Sequence, residues 1–220
     1  MEVGRINMIY IICVFVVILF SMMLHEIAHG FVAYKLGDET AKLSGRLTLN
    51  PFKHLDPFMS IILPLFLAIT GMPVFGGAKP VPINTRNLKY GEWGFALVAL
   101  AGPLTNIILA FLFFTIAYLL GIPLSEAIYS NSSIATIFFS TAIFVNIGFA
   151  VFNILPIPPL DGSRLLYAIA PDGIRPLIES FERYGIIIIY VLILVAGSLF
   201  STYMSTAITG IFNLFTNILP

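Results

Sequence analysis

The chain has 220 residues, 59% of them hydrophobic and 10% charged, a balance that a soluble globule of this size cannot hide in its interior, so lipid must be the solvent for most of it. Eleven basic and eleven acidic residues cancel at neutral pH, which leaves no basic excess to attract nucleic acid and no acidic excess for a disordered tail. The single cysteine, Cys13, excludes an internal disulfide and any multi-cysteine metal site; it reads as a small packing residue.

A helix needs about 20 apolar residues to cross a bilayer. Residues 8–34 form the first such run, too long for the core of a cleavable signal peptide, and it is expected to remain as a membrane helix. Residues 58–70 are apolar but short, carry Pro64 at their middle and lie between Pro57 and Gly71, which predicts a re-entrant piece rather than a span. Residues 76–83, with glycines, small residues and Pro80 and Pro82, suit an edge strand or a surface loop; an edge would let an extended substrate backbone dock by main-chain pairing. Further spans are expected over 93–120, 134–155 and 184–200, and a stretch of borderline length follows at 204–219. The predicted architecture is an all-α polytopic membrane protein. It has one domain over residues 1–220: three core helices, a short re-entrant insert with some β structure, and one or two carboxy-terminal helices.

Charge placement sets the topology, because cytoplasmic loops collect Lys and Arg near helix ends. If 58–70 does not cross, then Lys35, Lys42, Arg46, Lys53, Lys79, Arg86 and Lys89 share one side with Arg164, Arg175 and Arg183. Arg5 alone lies opposite, and the loop 121–133 contains no Lys or Arg. The expectation is a multi-pass protein of the cell membrane with its amino terminus outside and its basic loops in the cytoplasm.

Within the first helix, His25-Glu26-Ile27-Ala28-His29 contains the H-E-x-x-H pattern. Histidines at i and i+4 share a helical face and can reach one metal ion, while Glu26, one position on, can approach a metal-bound water without ligating. Zinc lowers the pKa of such water to about 7, and the glutamate can take its proton. Coincidence is a poor alternative, since each ionisable group inside a span costs at least about 2.5 kcal/mol. If the helix runs to about Tyr34, His25 lies roughly 10 residues, or about 15 Å, from the cytoplasmic end, so the site sits nearer that side and needs a polar path for water.

A third protein ligand must come from elsewhere. His54, in the proline-bounded loop 50–57, reads more readily as a solvated loop residue. Asp161 follows Pro156, Pro158 and Pro159, a break that ends the 134–155 helix on the side where the first helix also ends. Asp161 is the favoured ligand, with the capping of a helix beginning at Gly162 as its structural alternative. Residues 48–56 have no other sequence signal.

On these residues the chain resembles the site-2 proteases, intramembrane zinc metalloproteases, of the compact prokaryotic type. The resemblance extends beyond the zinc pattern to Ala101-Gly102-Pro103-Leu104-Thr105-Asn106 and to Phe152-Asn153-Ile154-Leu155-Pro156 leading into Leu160-Asp161-Gly162, in the family order, over about 24–164. It implies one Zn2+ per chain held by His25, His29 and Asp161, Glu26 as general base and acid, and Asn153 beside the metal. It implies a transmembrane protein substrate and no nucleic acid. Residues already occupied by helices leave no room for a separate PDZ or CBS domain.

An amide inside an apolar helix is costly unless hydrogen-bonded. Asn153 is expected to donate to the scissile carbonyl as it gains charge, a contribution of about 3 kcal/mol in comparable sites. Asn146 and Asn106 are expected only to bond neighbouring helices. A peptidase of lipidated protein termini would take its third ligand from a glutamate within a helix, and none is available; a metal transporter or inactive scaffold would not need Glu26.

Overall fold

The computed structural model describes residues 8–70, 77–124 and 132–219. Eight α-helices occur among them: α1 (Met8–Lys35), α2 (Thr40–Leu43), α3 (Leu63–Thr70), α4 (Gly91–Leu119), α5 (Ile134–Asn153), α6 (Gly162–Ile169), α7 (Arg175–Arg183) and α8 (Gly185–Ile218). Four of these, α1, α4, α5 and α8, are long and apolar enough to cross a membrane, which makes the chain a multi-pass membrane protein.

The ends of the spans follow from local chemistry. α1 stops at Gly37, whose φ of +107° lets its N–H reach the Tyr34 carbonyl while the Asp38 N–H reaches that of Ala33, satisfying two orphan carbonyls at once. Gly121 closes α4 in the same way, with bonds to Tyr118 and Ala117. Ser133 caps α5 by accepting from the Thr136 N–H.

α1, α4 and α5 pack against one another pairwise and form the core triplet. Small residues on α4, among them Ala96, Ala99, Gly102 and Ala110, bring the backbones close, as helix packing in lipid requires. α8 lies against α4 and α5 through Phe215, which joins Ala110, Phe114, Ile143 and Ile147 in one buried cluster.

Several sequence expectations are met or corrected here. The runs 184–200 and 204–219 lie within α8, whose helical path is kinked at the non-helical residue Ala196, in keeping with the one or two carboxy-terminal helices expected. In the polar stretch beyond the kink, Thr202 donates to the Ser198 carbonyl and Ser205 to that of Thr202, so these two hydroxyls bond back onto the helix. The insert is a wide π-type turn at Pro57–Ile62, capped by Asp56, followed by the eight residues of α3, too short together to span. No strand forms among the described residues of the 76–83 segment, and Gly76 itself lies outside them. Instead alternate residues engage one edge: Gly77 N–H donates to the Met59 carbonyl and Lys79 N–H to that of His54.

His54 is not solvated. It is buried, its Nε2 donates to the Thr48 carbonyl at 3.0 Å and closes the loop on itself, while its backbone carbonyl accepts from the Lys79 N–H at 2.8 Å. Arg46 is likewise a buried side chain rather than a free loop charge.

Candidate metal centre

The fold brings His25, Glu26, His29, Asn153 and Asp161 to the wall of one cavity of about 580 Å³. His25 and His29, one turn apart on α1, are both buried. α4 closes directly over them at Gly102, where a Cβ would lie 2.5 Å from the His25 ring and 2.6 Å from that of His29. Glycine in the Ala101-Gly102-Pro103 sequence is therefore a requirement of the site and not only of helix packing.

Asp161 arrives from the proline-rich break after α5. The chain doubles back so tightly that a Cβ on Gly162 would stand 2.0 Å from the Ile154 carbonyl oxygen, and one on Gly185 would stand 2.4 Å from the Pro159 ring. Glycine at both places lets the break fold under α5 and aims the carboxylate at the histidines. Asp161 makes no side-chain bond capping α6. Its Oδ2 lies 3.1 Å from His25 Nε2, and its Oδ1 lies 3.4 Å from His29 Nε2.

His29 Nδ1 is 2.8 Å from the Val98 carbonyl, which can only accept, so Nδ1 carries the proton and Nε2 a lone pair. His25 Nδ1 lies 2.6 Å from Asn106 Oδ1, and its Nε2 faces His29 Nε2 at 3.0 Å. Among the described residues, Asp161 Oδ2 is buried with no hydrogen-bond donor. Acceptors from all three side chains converge within 4.8 Å of one another. Lone pairs gathered in this way repel unless a cation lies among them, and two imidazoles with one carboxylate make a donor set suited to zinc.

Glu26 stands beside this cluster and outside it. Its Oε2 accepts from the Val81 N–H at 2.8 Å. In Pro80-Val81-Pro82 only Val81 has an N–H, so the flanking prolines leave one backbone donor there and it goes to the glutamate. Arg46 holds that segment from behind, Nη2 donating to the Lys79 carbonyl at 2.5 Å and Nη1 to that of Pro80 at 3.2 Å. Asn153 is half-buried and gives one N–H to the Phe149 carbonyl at 2.9 Å; an amide has a second N–H to offer a ligand.

Outside the spans, Asp38 and Tyr167 are among the groups shifted in their proton affinity. Burial of Asp38 opposes its ionisation, but donors from Thr40, Asn84 and Asn87 outweigh that and hold its carboxyl below the usual range. Tyr167, which donates to Glu179 at 2.7 Å, is pushed up to about 12 by that bond. Arg164, on the cavity wall, pairs with Glu182 and lies over Phe95.

Sequence reasoning missed the parts that support these groups. Arg46 and Val81 carry no motif, and their role depends on contacts 33 to 55 residues away in sequence. Asn106 and Asn146 were visible as amides in apolar helices, but their partner was not.

The profile of peptidase family M50 matches residues 13–134 and 125–197. The chain is 42% identical over 177 residues to the protein named "Putative zinc metalloprotease YwhC" of Bacillus subtilis, covering 80% of this chain and 78% of that one. It is 32% identical over 178 residues to "Putative zinc metalloprotease Rip2" of Mycolicibacterium smegmatis, covering 80% of this chain and 64% of the relative. It is 30% identical over 153 residues to "Putative zinc metalloprotease MJ0611" of Methanocaldococcus jannaschii, covering 69% and 72% of the two chains. No solved structure matches. A zinc-type donor set between membrane helices, with a glutamate beside it, and matches of this extent lead to one assignment: the chain belongs to peptidase family M50, the site-2 protease family of membrane zinc metalloproteases.

Proposed function

We propose that this protein is an intramembrane metalloendopeptidase that hydrolyses peptide bonds of membrane-spanning or membrane-associated proteins, in regulated intramembrane proteolysis. The supporting observation is the convergence of His25, His29 and Asp161 acceptors on a cavity wall that also presents Glu26, a carboxylate outside the donor set. In this reading His25 Nε2, His29 Nε2 and an Asp161 oxygen hold one zinc per chain. When bound, zinc supplies a Lewis acid that polarises the scissile carbonyl and acidifies water.

The chain's own residues do the rest. Glu26 takes the proton of the attacking water on its carboxylate and delivers it to the leaving amide nitrogen. The Val81 N–H fixes the orientation of that carboxylate. The free N–H of Asn153 donates to the carbonyl oxygen as it gains negative charge. The 77–83 segment lines the same cavity and offers an extended substrate backbone a docking edge. One of its edges is already engaged by Met59, His54 and Glu26, so the substrate would meet the other, near Ala78.

Wild-type protein in detergent should contain about one equivalent of zinc, and His25→Ala should lose it. Undiminished zinc in an Asp161→Ala, His29→Ala double variant would remove the site assignment, while wild-type cleavage by Glu26→Gln would leave a transporter or scaffold as the better reading. For orientation, we place the amino terminus outside and Lys42, Lys79 and Arg175 in the cytoplasm, with the site nearer that face. Ser130, on the opposite side in this topology, lies outside the described residues. A cysteine at position 79 should resist an impermeant external reagent in intact cells, and labelling there would reverse the assignment.

A further inference from the structure

Behind His25, on the side away from the cavity, lies a line of buried polar side chains that crosses from α4 to α5 and back to α1. Asn106 Nδ2 donates to Asn146 Oδ1 at 2.8 Å, and Asn146 Nδ2 donates both to Ser21 Oγ at 2.9 Å and to the Ala142 carbonyl at 2.8 Å. Asn106 and Asn146 are 0% exposed and Ser21 4%. Amides so placed in apolar spans are costly unless bonded, and this series, beyond joining helices, ends on the His25 ring.

The direction of the line is set at its far end. A backbone carbonyl only accepts, so Ala142 fixes which end of the Asn146 amide carries the nitrogen. Asn146 Oδ1 then faces Asn106, which must present its Nδ2 there and its Oδ1 to His25. An oxygen at 2.6 Å from His25 Nδ1 requires that nitrogen to be the protonated one, which leaves the lone pair on Nε2, the atom that faces Asp161. His29 needs no relay, because its Nδ1 meets the Val98 carbonyl directly.

We infer that Asn106 and Asn146 are positioning residues for the metal centre, a two-amide relay by which the Ala142 carbonyl in α5 fixes the tautomer and ring orientation of His25 in α1. The inference rests on His25 being a zinc ligand. Outer partners of ligating histidines commonly carry about 10- to 100-fold of metal affinity. Asn146, two side chains removed from the metal, acquires that weight only through the relay.

The experiment uses zinc-loaded full-length protein in detergent with ¹⁵N-labelled histidine. Wild type should show a slowly exchanging Nδ1 proton on His25, absent in Asn106→Leu. Asn146→Leu removes the acceptor that orients Asn106; it should weaken zinc binding about 10- to 100-fold in competition with a chelator and speed exchange of that proton. Ser21→Ala leaves the Ala142 carbonyl in place and should keep zinc affinity within about threefold.

Wild-type affinity and an unchanged proton in Asn146→Leu overturn the inference. Equal losses in Ser21→Ala and Asn146→Leu also overturn it, because packing alone would then explain both. Where Asn146→Leu does not fold, the wild-type spectrum decides: a His25 Nδ1 without a protected proton overturns the relay. Zinc binding that ignores His25→Ala instead removes the parent reading, so the two failures are distinguishable.

Discussion

On the histidine side of the cavity each polar group is held by a side chain or carbonyl of α1, α4 or α5, whereas on the glutamate side the partner is one backbone N–H in an irregular segment. The two histidines on the first side are buried between helices in which small residues allow close approach, so their rings are confined by the packing of α4. The second depends on residues 77–83, whose backbone is held through His54, Met59 and the Arg46 guanidinium while Val81 and Ile83 pack inward. Holding a cation needs fixed distances, and proton transfer needs a carboxylate that stays outside the donor set yet close to it. The molecule meets the first need with two histidines on a packed helix and an aspartate at a tightly folded break, and the second with a clamped loop.

The sharpest way to separate the two sides is Glu26→Gln, which keeps size and hydrogen-bonding reach but removes the basic carboxylate. Peptide hydrolysis should fall by at least about 100-fold with zinc content unchanged. Asn153→Ala should lower turnover by less, with zinc again retained, since it removes one donor among several groups. Wild-type turnover in Glu26→Gln would break the proposed division of labour.

A smaller effect is expected on the glutamate side from a residue that touches no reacting atom. Arg46→Ala frees the Lys79 and Pro80 carbonyls and loosens the Val81 N–H, so turnover should drop on the order of tenfold while zinc affinity stays at the wild-type level. Equal losses of zinc and turnover would mean that the two sides are not independent. Arg46→Lys, which can reach one carbonyl but not fork between two, should recover part of the activity.

The smallest effect tests the outer frame of that loop. Asp38 accepts from Asn84 N–H and Asn87, tying the end of α1 to the chain just after the clamped segment. Its carboxyl is held below the ordinary range, so its contribution is present above the usual carboxylate pKa and is lost as pH falls through the lowered value. Asp38→Asn should therefore lower thermal stability at neutral pH and flatten the decline on the acid side. An unaltered acid limb would show that this carboxylate does not couple the loop to α1.

Most of the helical scaffold was legible in the sequence because long apolar runs have few structural options in lipid. The limits of α1, α4 and α5 fall within two residues of their predicted ends, where Gly37, Gly121 and Ser133 supply the stop and start chemistry. His25, Glu26 and His29 were readable for a similar reason: a one-turn spacing is a local property of a helix. Asp161 was readable as a carboxylate after a helix break; that its side chain leaves α6 uncapped and faces the histidines was not.

The rest required the tertiary structure, because it consists of contacts between residues far apart in the chain. Local pattern could not show that His54 is buried, that Arg46 clamps carbonyls at 79 and 80, or that Val81 donates to Glu26. Nor could it tell an amide bridging two helices from one that ends on a histidine. The sequence by itself determined that this is a multi-pass membrane chain with a pair of histidines and a glutamate on one helix, since periodicity and hydropathy act over a few turns. Only the tertiary structure decided which acceptors converge and which donors hold them, since hydrogen-bond direction is set by whichever backbone carbonyl the packed helices bring within reach.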